Sequence, residues 1–146
     1  MGASAPIFKG ITMPNTKATG VAYLDPEFST CYATEEIGYS AAAQGSVTQI
    51  TSKATGVTLN KSAGQITMHN ASLAAGTTVL FTLTNNTLSA KDVLIVNVGS
   101  GGTSGAYWPY VANLSAGAAI IGLYNNTAAP LAEAIVVNFS VIHAAA

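Results

Sequence analysis

GVTLNKSAGQITMHNASLAAGTTVLFTLTN, residues 56–85, carries a single charged side chain, Lys61. Ile66 and Met68 alternate with polar neighbours, and Val79, Phe81 and Leu83 alternate with Thr82 and Thr84. Side chains of a strand point to opposite faces in turn, so this period of two marks strands with one face buried. The glycines between the apolar runs read as turns. The polarity left over is almost entirely Thr, Asn and Ser, which solvates a surface weakly and leaves it suited to cover by other chains.

Outward from this stretch the same texture continues. Strands are expected at about 47–51, 56–60, 64–69, 77–85, 92–98, 106–113, 118–125 and 132–143. Short, evenly spaced strands separated by Gly, Asn and Ala-Gly turns signal an all-β sandwich or barrel. Eight of them in residues 46–146 predict a jelly-roll-like antiparallel β-sandwich. Residues 1–45 differ: they hold four of the six acidic residues (Asp25, Glu27, Glu35, Glu36) and three of the five prolines (Pro6, Pro14, Pro26), without sustained periodicity. They read as an extended N-terminal arm with small apolar groups, and Tyr39–Gly45 reads as a linker of small residues.

Two strands do not alternate. Val93–Val96, and Ala134–Val137 running on through Phe139 to Ile142, are apolar on both faces. Such a strand needs cover on both sides, and a two-layer sandwich covers only one face of each sheet. A second copy of the chain is one source of cover and the arm folding back is another. Ile135, Val136, Val137 and Phe139 are therefore the candidate subunit-interface residues.

Composition narrows the function. Charged residues make up 8% of the 146 residues, where about 25% is usual, and the formal net charge is −1. Weak charge gives little protection against self-association. There is no arginine, and the five lysines (9, 17, 53, 61 and 91) are scattered, which excludes the basic patch of a nucleic-acid partner. No apolar run reaches the roughly 18 residues of a membrane span, and MGASAPIFKG lacks the basic start and apolar core of a secretory signal. Cys31 stands alone, so no intrachain disulfide forms; it reads as a structural thiol.

No chemistry stands out. Gly99–Gly105 lacks the lysine of a phosphate loop and leads into aromatic residues, so it reads as an inter-strand loop. His69 and His143 each end a strand, without metal spacing or a visible Ser-His-Asp arrangement. The adjacent Glu35 and Glu36 point to opposite sides of an extended segment and form no acid/base pair. The Asn-x-Ser/Thr triplets at Asn70, Asn85, Asn113, Asn125 and Asn138 are what an Asn- and Thr-rich chain produces by chance. An enzyme is not expected, nor a metal or cofactor. Tyr107, Trp108 and Tyr110 form the one aromatic concentration: a plug at one end of the sandwich with Pro109 on an edge strand, a protein contact, or a sugar-stacking platform.

The segments VTQITSKATGVTLNK (47–61), GQITM (64–68), LAAG (73–76), FTLTN (81–85) and EAIVVNFSVI (133–142) resemble small virion proteins of tailed bacteriophages, the capsid decoration (cement) or head-fibre proteins. The resemblance covers roughly the last hundred residues. It implies a β-sandwich that assembles as a homotrimer on the capsid exterior, with the major capsid protein as partner and no catalytic residues. An extended arm then suits capsid docking through spaced anchors, Ile7, Phe8, Tyr23, Leu24 and Phe28. The alternative from another class is a tail-fibre or head-fibre module that uses the aromatic patch on host receptors or glycans.

Overall fold

The computed structural model describes residue 30 and residues 32–144. The chain divides into two units, Met1–Ile37 and Gly38–Ala146. In the first, the described residues form neither helix nor strand. The second is an all-β sandwich that begins earlier than expected. Residues 39–45, read above as a linker, belong to it: Ala41–Ala43 make one 3₁₀ turn and β1 (Gln44–Thr48) starts at once. The Tyr39 hydroxyl donates to the Val141 carbonyl and Lys61 Nζ to the Ala42 carbonyl, which fastens the entry.

All eight expected strands are present: β1, β2 (Val57–Thr58), β3 (Ala63–Thr67), β4 (Thr78–Thr84), β5 (Val93–Ser100), β6 (Tyr107–Ser115), β7 (Ala118–Asn125) and β8 (Val136–Ile142). They form two four-stranded sheets, ordered β1-β3-β8-β5 and β2-β4-β7-β6. Both sheets are mixed. The β1–β3 and β2–β4 pairs run parallel, where antiparallel pairing was expected throughout; the other pairs are antiparallel. Turn signals mark where strands end, whereas the direction of a neighbour depends on distant parts of the chain.

The core is built by the alternation. Val79, Phe81 and Leu83 of β4 face Ile121 and Leu123 of β7 and, from the other sheet, Ile66, Val137, Phe139 and Val141. Gly64 lies under this layer. A Cβ there would meet Leu59 Cδ2 at 2.8 Å and Phe139 Cε1 at 3.0 Å, so the aromatic ring and the leucine take the space a side chain would need. Two of the four edge strands, β5 and β6, each carry a bulge, between Val98 and Ser100 and between Val111 and Asn113. Bulges at sheet edges twist them and hinder edge-to-edge pairing. Pro109 sits on β6, an edge strand, where its missing N–H is tolerated.

Candidate functional site

The aromatic stretch splits by strand parity. Tyr107 points inward and is buried in the core, while Trp108 and Tyr110 point outward from β6 and are 56% and 42% exposed. Register places Trp108 beside Tyr124 and Tyr110 beside Gly122. The Trp108 and Tyr124 rings are 6.1 Å apart between centroids and tilted by 51°. Gly122 is the decisive neighbour. A Cβ there would lie 2.3 Å from Tyr110 Cζ and 2.6 Å from Cε1, so the Tyr110 ring lies on the glycine backbone. Leu80, half exposed, completes the row on β4.

The outer face of the other sheet is aliphatic and amide-lined. Val93 and Ile142 are register partners, each 55% exposed, and Ile95 is next to them. Farther along, Asn97, Asn138 and Gln65 lie in one row, with Gln65 Nε2 donating to Asn138 Oδ1 at 3.2 Å. This corrects the interface candidates. Ile135, Val137 and Phe139 are buried in the chain's own core, so they are not available to a second subunit; only Val136 lies on the outer face. Strand parity decides it: in β8 the odd positions point inward. The docking candidates Ile7, Phe8, Tyr23, Leu24 and Phe28 lie outside the described residues, as does Cys31.

Several ionisable side chains act as internal braces. Lys53 is buried, and its ammonium donates to the carbonyls of His69 and Glu133. Burial pushes it below the usual lysine range, against the pull of the Glu133 carboxylate. Gln49 is buried beside it, donating to the carbonyls of Lys53 (3.0 Å) and Thr55 (2.8 Å) and accepting from the His69 N–H (3.1 Å). Glu133 in turn ties down the glycine-rich loop, accepting from the Thr103 N–H at 3.0 Å and hydroxyl at 2.9 Å. A carboxylate in that place repels a phosphate. Burial, then the neighbouring Glu133, pushes the Tyr107 phenol up to about 12; among the described residues its hydroxyl has no partner within hydrogen-bond geometry.

Ser89, Asp92 and His143 bring together the residue types of a hydrolase triad, but in the wrong order. Ser89 Oγ donates to Asp92 Oδ1 at 2.7 Å, and His143 Nδ1 meets Asp92 Oδ2 at 2.9 Å. Nucleophilic catalysis needs the hydroxyl against the imidazole; here both address the carboxylate. The cluster is a clamp that joins the start of β5 to the end of β8, reinforced by the Ser89 N–H (2.8 Å) and Ala144 N–H (3.0 Å). The Ser89 N–H and then its hydroxyl hold the Asp92 carboxyl well below the usual aspartate range. A depressed folded pKa contributes stability that is present above the unfolded value, about 3.9, and lost as the pH falls through the folded one. Glu133, held low chiefly by the Thr103 N–H, acts in the same sense. Melting temperature should therefore drop below about pH 4, and the drop should be shallower in Asp92→Asn. Equal slopes in the two proteins would remove the clamp from the explanation.

The residues that sequence reasoning missed are Asn85 and Asn125, both fully buried. Each opens an Asn-Asn-Thr tripeptide and accepts from the backbone N–H and the hydroxyl of the threonine two residues on. The repeated tripeptide was the available signal, since Asn side chains favour such local turns. Burial also keeps both asparagines from serving as glycosylation acceptors. Among the described residues no three His, Cys, Asp or Glu side chains gather as a metal site, and no helix is long and apolar enough to cross a membrane. Compared with protein-family models, curated proteins and solved structures, the chain matches none.

Proposed function

We propose that the chain is a structural virion protein, a capsid decoration (cement) protein that binds the outer capsid surface as a homotrimer and stabilises the shell. The observation that carries this reading is that the outward strand positions of the β1-β3-β8-β5 sheet hold no ionisable side chain. They hold instead the aliphatic corner of Val93, Ile95 and Ile142 and a row of amides. Faces without charge lose little on desolvation and suit permanent contact with other protein. The sequence resemblance to decoration proteins supports the same reading, and the comparisons add no family to it. A protein that binds the assembled shell and not its separated subunits stabilises the shell by mass action.

The test is the mass of the purified chain, followed by co-sedimentation with undecorated capsids. Light scattering at micromolar concentration should give three times the 14.7 kDa chain mass. Docking should survive salt up to about 1 M, where the Debye length is roughly 3 Å, because there is little charge pairing to screen. A stable monomer would overturn the trimer, and release of most subunits by salt would assign docking to charge pairs.

A further inference from the structure

Exposed apolar side chains lie on the outer faces of both sheets, but exposed rings lie on one of the two, with Leu80 beside them. Aliphatic residues, Val93, Ile95 and Ile142, crowd one corner of the β1-β3-β8-β5 sheet, whereas the aromatic ones, Trp108, Tyr110 and Tyr124, share the outer face of the β2-β4-β7-β6 sheet. We propose that this aromatic face is a stacking platform for neutral hexopyranose chains. The inference is independent of whether the chain sits on a capsid.

Three observations favour a sugar over a second protein surface. First, Tyr110 lies against Gly122 and stays 42% exposed, so ring surface remains open to solvent above the sheet. An open π surface attracts the slightly positive C–H groups of a pyranose ring, as it attracts other positive edges. Second, hydroxyls and an amide flank the rings: Thr78 lies opposite Tyr124, and in the row beyond Tyr110 and Gly122, Thr82 and Asn113 lie on either side of Ile120. These can hydrogen-bond sugar hydroxyls. Third, the outward strand positions of this sheet carry no Asp, Glu, Lys, Arg or His, which matches a neutral ligand and disfavours acidic glycans. Trp108 and Tyr110, two residues apart on one strand, stand roughly 7 Å apart along it, close enough to engage neighbouring sugar units.

Trp108 is the chain's one tryptophan, so its emission reports on this face directly. The full-length protein is titrated with cellohexaose, chitohexaose and maltohexaose while tryptophan fluorescence is followed. A saturable shift with at least one of them is expected, at millimolar or lower concentration, and about tenfold weaker binding in Tyr110→Ala. Calorimetry on Trp108→Ala, whose side chain is mostly solvent-facing, gives a second reading should Tyr110→Ala fold poorly; it too should lose about tenfold. Absence of any shift with all three sugars overturns the proposal, as does undiminished binding in both variants. Emission that changes with protein concentration, and not with sugar, would assign the face to a second copy of the chain.

Discussion

Asn125→Ala should destabilise the sandwich by about 3–5 kcal/mol, a large part of the roughly 5–15 kcal/mol that holds a domain together. The side chain is fully buried and every polar atom on it is engaged. Nδ2 donates toward the carbonyls of Leu73 (3.0 Å), Ala74 (3.2 Å) and Ala129 (2.9 Å), and Oδ1 accepts from the Thr127 N–H (3.0 Å) and hydroxyl (2.7 Å). Alanine leaves these partners without their bonds in a place water does not readily enter, at about 1–3 kcal/mol for each group left unpaired. Asn85→Ala should cost less, since Asn85 Nδ2 serves one carbonyl, that of Lys61. Denaturant melts of the two variants and the parent check both magnitude and order. An Asn125→Ala protein within about 1 kcal/mol of the parent would mean that water enters and replaces the amide.

Val137→Asp should fail to fold, whereas Val136→Asp should fold and lose assembly. The two residues are adjacent on β8 and differ only in face. Val137 is fully buried, paired in register with Ile66 and Val98. An aspartate there either remains an unpaired charge in the core or is neutralised at large cost, and such changes exceed about 4 kcal/mol. Val136 pairs with Thr67 and Ser100 and is only partly covered, so its carboxylate can reach water. Circular dichroism separates folded from unfolded chains, and light scattering separates assembled from dispersed ones. A folded Val137→Asp would contradict the burial of that position, and a Val136→Asp protein that still assembles would remove Val136 from the contact of the proposed trimer.

The contrast between those neighbours also measures how far the sequence could be read. Ile135, Val137 and Phe139 look, in sequence, much like Val136 and Ile142: apolar residues in an apolar run. Asn138 and Ser140 do alternate with Val137, Phe139 and Val141 and mark the odd positions as inward, but the unbroken apolar run Ala134–Val137 ahead of them hides that mark and makes core residues look like interface residues. Elsewhere the alternation was sufficient. Val79, Phe81 and Leu83 turn inward as expected, and the strand positions follow the Gly and Asn punctuation. The aromatic concentration was visible too, but its division into buried Tyr107 and exposed Trp108 and Tyr110 needed the strand's orientation. Lys53 had no signal at all: a lysine in a Thr- and Ser-rich loop reads as solvated until the carbonyls of His69 and Glu133 are seen around it.

What the sequence determined alone is what depends on near neighbours: an all-β chain, eight strand positions, a period of two where the strands alternate, and a β region with little charge. These follow from alternation and turn chemistry within a few residues. The tertiary structure alone decided the parallel β1–β3 and β2–β4 pairs, the burial of Lys53, Asn85 and Asn125, and the laying of Tyr110 across Gly122. Each of these depends on which distant strand or loop comes alongside, and burial makes the resulting contacts energetically decisive. A buried amide or ammonium persists only where remote backbone groups meet it, and a ring lies on a neighbouring strand only where register puts a glycine beneath it.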